Sequence, residues 1–221
     1  MPRLPAFQHL SKAAVAVIAA TALFGAKPVS AHPHEWIEMQ IDIVFDDDGK
    51  AIAMRHDWKM DEFFSAYAVS DIEFENGRPT PAALDALMNE MLTNISDIGF
   101  FIQASQAGAP LPLISFNALG LQMNGPNLEM QFEVPFLGPL DLQASPLTYK
   151  IFDPEYYIEM LHIEGAKPIV LANAPKGCRW DLIPPSDNQS MAAYASALGQ
   201  DESPTFELGS FFAEEASIRC H

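Results

Sequence analysis

The sequence predicts an α+β domain: a body rich in antiparallel sheet, an N-terminal β-hairpin, a helical insertion behind it and a C-terminal tail held by a disulfide. Three observations carry this expectation. Two runs of period-2 alternation flank an Asp46-Asp47-Asp48-Gly49 turn, helical spacing takes over from Thr80 to about Asn94, and strand-like alternation returns from Phe100 to about Leu182.

In the first run Ile37, Met39, Ile41, Ile43 and Phe45 share one face, and Glu38, Gln40 and Asp42 lie on the other. In the second, Ile52, Met54, His56, Trp58 and Met60 form the apolar face. Apolar faces must coincide across a hairpin, because a one-residue slip turns one of them to water. A four-residue loop pairs Phe45 with Lys50, so the expected register sets Ile37 opposite Trp58 and His34 opposite Asp61.

Asp61 to Val69 reads as a short helix with acids in its first turn. Thr80-Pro81 supplies an N-cap and first helical residue, and Leu84, Leu87, Met88, Met91 and Ile95 form the apolar stripe of the helix that follows. Further strands are expected at Leu128–Phe136, Thr148–Phe152, Tyr156–Ile163, Ile169–Ala172 and Arg179–Ile183. Ser186–Gly199 suits a loop and helix, and Leu208–Glu215 a last helix before the tail. There is no internal repeat and no linker long enough to divide the chain.

Residues 1–31 read as a secretory signal peptide. Arg3 and Lys12 precede the apolar run Ala13–Ala26, and Val29-Ser30-Ala31 places small residues where signal peptidase reads them. That run is shorter than the ~20 residues a spanning helix needs. The expected mature protein, residues 32–221, is a single exported domain that does not span the membrane. Its 9 basic and 29 acidic residues give a formal charge of −20, which argues against nucleic acid as a partner. The two cysteines, Cys178 and Cys220, suit a disulfide in an oxidising compartment, with a thiolate metal site as the alternative.

Cleavage after Ala31 would leave His32-Pro33-His34-Glu35 as the new chain end. A free amine, two imidazoles and a carboxylate then crowd together. With Asp61 or Glu62 brought up by the hairpin, this set suits a divalent transition ion: zinc first, with nickel, cobalt or copper as alternatives. Pro33 has no amide proton, which removes the chelate that uses a deprotonated second amide. A frayed terminus without metal is the plain alternative. Asp153 and Glu155, two positions apart in Phe152-Asp153-Pro154-Glu155-Tyr156-Tyr157, are distant candidates, although an Asp-Pro step also simply makes a turn. His56 lies among apolar residues and reads as a core histidine, His162 is undecided, and His221 reads as an exposed tail. Asp71–Gly77 fails as a calcium loop: with Gly77 sixth, the first and third ligand positions are Ile72 and Phe74. No Gly-rich phosphate loop, nucleophile elbow or H-E-x-x-H motif occurs.

The ordered set His32-Pro33-His34, Ile43–Gly49, Asp61–Ser65, Ala174–Cys178, Asp153–Tyr157 and Arg219-Cys220 resembles the domain-of-unknown-function 1007 family over essentially the whole mature chain. The resemblance implies a periplasmic component of an uncharacterised ABC-type transport system, associated with nickel/cobalt-type permeases and zinc acquisition. The expected function is therefore a periplasmic metal-binding accessory protein that delivers its ion to a membrane permease and is not an enzyme. The expected ligands are His32 and His34, with Asp61 or Glu62 and, more remotely, Asp153. A copper enzyme with a histidine brace at His32, and a metal-free envelope interaction domain, are the rival readings.

Overall fold

The computed structural model describes residues 33–165, 167–199 and 202–221; the expected signal peptide and His32 lie outside them. The described chain runs β1 (Glu35–Phe45), β2 (Ala51–Met60), α1 (Glu62–Ala68), β3 (Phe74–Glu75), β4 (Arg78–Pro79), α2 (Pro81–Ser96), β5 (Ile102–Gln106), β6 (Ala109–Pro110), β7 (Asn117–Asn124), β8 (Asn127–Leu140), β9 (Leu147–Ile151), β10 (Ile158–His162), β11 (Ile169–Ala172), β12 (Arg179–Ile183), α3 (Gln189–Ala197) and β13 (Glu215–Arg219). This is the expected α+β class, with one addition. The larger sheet is mixed rather than wholly antiparallel.

That sheet has the order β10-β1-β2-β8-β7, and β11 also pairs with β1. β1 is antiparallel to β2 but parallel to β10 along Glu35–Met39 and to β11 along Ile41–Val44. The second sheet has the order β12-β13-β9-β5-β6. Inward residues of both sheets, among them Met39, Ile41, Met54, Phe132, Tyr149 and Ile218, share one buried cluster, to which α2 adds Met88 and Leu92. Each fully buried large apolar side chain stabilises by about 1.5–3 kcal/mol. The α2 cap forms as its sequence dictates: the Thr80 hydroxyl accepts from the Ala83 N–H at 3.2 Å.

The hairpin register differs from expectation. Ile37 faces Met60, Met39 faces Trp58 and Ile41 faces His56, a shift of two residues. A longer turn and a bulge explain it, one residue each, because Phe45 pairs with Ala51 rather than with Lys50. Val44 pairs with Ala53 and Phe45 with Ala51, so one residue of β2 is left over beside the turn. The Asp46 carboxylate closes that turn by accepting from the Asp48 and Lys50 N–H groups. A shift of two preserves the inward face from Met54 to Met60, so the core reading survives there, whereas Ile52, the leftover residue, is only partly buried and Ala51 and Ala53 are buried beside it. The residues at the open end do not keep their partners: Trp36, not His34, stands opposite Asp61, whose N–H donates to the Trp36 carbonyl and whose carboxylate accepts from the Trp36 N–H.

The C-terminus also departs from the sequence reading. Leu208–Phe211 is a single 3₁₀ turn rather than a helix. The residues after it are no appended tail, because β13 lies between β12 and β9 with Ala216 and Ile218 fully buried. The disulfide Cys178–Cys220 is present and joins the end of this central strand to the segment leading into β12.

Candidate functional site

Two carboxylates act at the start of β1 and of its neighbour β10. Asp61 ends β2 and caps α1: its Oδ1 accepts from the Phe63 and Phe64 N–H groups at 2.8 and 3.0 Å, and its Oδ2 from the Trp36 N–H at 2.9 Å. Asp153 acts on the neighbouring strand instead. Its Oδ1 accepts from the Glu155 N–H at 3.1 Å, and its Oδ2 from the Tyr157 and Ile158 N–H groups at 2.8 and 3.1 Å. Asp153 thereby shapes the loop that leads into β10, the parallel neighbour of β1.

This loop is tightly determined. Tyr156 sits in the left-handed region at φ 60°, a conformation that costs a non-glycine residue free energy and persists only under outside constraint. Its ring stacks on Phe212 at 4.0 Å between centroids, within a small second core with Ala195, Leu198 and Leu208. Gly209 rests against the Asp153 carbonyl, where any Cβ would overlap the oxygen. The Asp-Pro turn reading of this segment is correct, and the carboxylate it contains is structural.

His34 and Glu35 emerge between these supports. The His34 N–H donates to the Tyr157 carbonyl at 2.9 Å, and its ring stacks on the Tyr157 ring at 4.6 Å. Glu35 is half-buried, and its carboxylate accepts no hydrogen bond among the described residues. Burial first, then the charges of Asp61 and Asp153, push its carboxyl up to about 7. Asp153 is raised as well, by burial that outweighs its three backbone hydrogen bonds. The corner is thus anionic and partly dry, and among the described residues no lysine or arginine pairs with Glu35.

The structure brings three of the expected residues, His34, Asp61 and Asp153, to this corner. The oxygens of Asp61 and Asp153 already accept backbone N–H groups, so Asp61 positions this strand and Asp153 its neighbour. Glu62 stands exposed at the start of α1. Glu35, which entered the sequence reading only as part of the donor-rich junction, is the carboxylate left without such a partner. Its place was legible in one respect: it adjoins His34 on the same strand end. Among the described residues no group of three or more His, Cys, Asp or Glu side chains is close enough to hold a metal ion.

His56 and His162 lie in the interior, while His221 is exposed at the chain end. His56 is fully buried and stacks on Phe132 at 4.6 Å, and neither ring nitrogen has a partner. Burial, then the nearby His162, drive its pKa down to about 3, so it is neutral. His162 bridges the sheets: Nε2 meets the Tyr149 hydroxyl at 3.0 Å and Nδ1 meets Glu214 at 2.8 Å. Glu214 also accepts the His162 backbone N–H, and these hydrogen bonds, with the imidazole's charge, hold its carboxyl below the usual range. The core reading of His56 holds, and His162 resolves as a core residue too.

The chain matches the model of the family described as protein of unknown function (DUF1007) over residues 17–220, and it belongs to that family. It is also similar to an uncharacterized protein of Haemophilus influenzae, with 25% identity over 205 residues that cover 90% of this chain and 95% of the relative. No helix among the described residues is long and apolar enough to cross a membrane. A disulfide is the bond that an oxidising, extracytoplasmic compartment sustains.

Proposed function

We propose that this protein is a periplasmic transition-metal-binding accessory protein that hands a divalent ion, zinc first, to a membrane permease. The observation that supports the reading is the start of β1, where His34 and Glu35 follow each other and the charges of Asp61 and Asp153 bear on the Glu35 carboxyl. His32 and the amine freed by cleavage would add donors from the residues just before. Imidazole and carboxylate together suit zinc, nickel, cobalt or copper. A carboxyl held near 7 also suits an exchangeable site. The ion displaces its proton on binding, and acidification returns the proton and weakens the ion's hold.

The test is zinc affinity, measured by chelator competition on protein that begins at His32. Glu35→Gln and His34→Ala should each weaken binding at least tenfold at pH 8. Glu62→Gln should leave it within twofold. Equal affinity in all three variants would overturn the assignment. Tight Cu(II) binding with a redox-active spectrum, and weak zinc binding, would favour the copper-enzyme reading instead.

A further inference from the structure

The outer face of the larger sheet is covered by no element of secondary structure among the described residues, and its side chains follow from the register. One row runs Glu159–Trp36–Asp61 across β10, β1 and the end of β2, and the next runs Leu161–Glu38–Lys59–Glu129. Trp36 is 46% exposed there. An open depression of about 530 Å³ follows the first row, and a second of about 460 Å³ lies further along the same face. The Glu38–Lys59 pair, at 2.8 Å, lines both. Two of the most exposed aromatic side chains, Phe63 at 77% and Tyr67 at 78%, stand one turn apart on α1, beside the same end of the sheet.

From this geometry we infer that the outer sheet face is a docking surface for a basic segment of a partner protein. Charge decides the occupant. Lys59 is the one lysine or arginine among the described residues that line either depression, and Glu38 already engages it. Asp61, Glu62, Glu159 and Glu164 in the first depression, with Asp57 in the second, then lack a cationic partner there, while Glu129 faces the same Lys59. An indole face flanked by carboxylates attracts a guanidinium or ammonium by cation–π and Coulomb terms together. Extent decides the class of partner. The face spans several strands at about 4.8 Å each, further than one small cation reaches. Exposed Trp and Tyr are the side chains that anchor protein interfaces, and carboxylates around them select the sign of the partner. An anionic membrane would be repelled by the same groups. The inference stands apart from metal binding, since none of these side chains is proposed as a ligand except Asp61 and Glu62 in the sequence reading.

The test uses a fluorescein-labelled peptide of alternating arginine and leucine, followed by anisotropy against the intact protein. Trp36→Ala and Glu38→Gln/Glu164→Gln should each weaken binding at least tenfold. Asp47→Asn/Asp48→Asn makes the same formal charge change in the exposed turn at the far end of β1 and should alter binding less than twofold. Zinc affinity should be unchanged in the Glu38→Gln/Glu164→Gln variant, which separates this inference from the metal reading. Equal weakening by the turn variant would reduce the effect to net charge and overturn the proposal. Competition by spermidine at the peptide's own concentration, or Trp36-dependent binding to phosphatidylcholine vesicles, would also overturn it.

Discussion

Replacing Glu35 by glutamine should stabilise the metal-free protein at alkaline pH while impairing the proposed metal site. Folding moves this carboxyl from an ordinary 4.5 to about 7. In gross terms that is about 3 kcal/mol against the ionised form. Half of the group still meets solvent, and screening reduces the figure to about 1–2 kcal/mol. The sign follows from linkage. A raised carboxyl leaves the fold most stable below 4.5, and that stability is lost as pH climbs toward 7. Urea unfolding of the metal-free wild type and Glu35→Gln, with the disulfide intact, reads the difference. At pH 8 the variant should be more stable by about 1–2 kcal/mol, and at pH 4.5 the gap should close to a few tenths. Saturating zinc should reverse the order at pH 8, because only the wild type gains binding energy through this residue. A variant no more stable than wild type at pH 8, or a gap independent of pH, would refute the account of an unpaired, cation-seeking carboxylate.

Three further outcomes are expected. His56→Leu should raise the melting temperature at pH 7.5 and flatten its acid dependence. The wild type loses about 2 kcal/mol by pH 5, because this neutral histidine's contribution is present above 6.5 and is lost as pH falls toward 3; an unchanged acid profile in melts at pH 7.5 and 5 would contradict this. Cys178→Ser/Cys220→Ser should cost about 4 kcal/mol in urea unfolding, as expected for freeing a loop closed across 42 residues, and a loss below about 1 kcal/mol would mean that β13 is held by its sheet alone. Gly209→Ala should force the 3₁₀ turn off the Asp153 carbonyl and lower both the melting temperature and the zinc affinity; wild-type values for both would show that the loop does not depend on this contact.

The core was legible because it depends on parity. Ile37 to Phe45 and Met54 to Met60 point inward in either hairpin register, so a two-residue error left every one of them in place. The site depends on register itself, and there the longer turn and the bulge at Val44–Phe45 together moved Asp61 from His34 to Trp36. No local signal marks that bulge. Asp46 stabilises the turn through its neighbours' N–H groups, and the leftover residue falls in an otherwise regular alternation. The parallel pairing of β1 with β10 was equally invisible, since it joins residues more than a hundred positions apart. It is that pairing which brings the Asp153 loop to His34 and turns a chain-end motif into a built corner. β13 was missed for want of length: five residues with two buried apolar side chains carry too little pattern to distinguish a central strand from a tail.

The central claim is that an ion is held where the chain emerges at His32–Glu35. Isothermal titration of zinc into correctly processed protein, against the His32→Ala/His34→Ala double variant, tests it most directly. The account predicts one high-affinity site in the wild type, accompanied by proton release at pH 7, and its loss in the double variant. Unchanged stoichiometry and affinity in the double variant would contradict it.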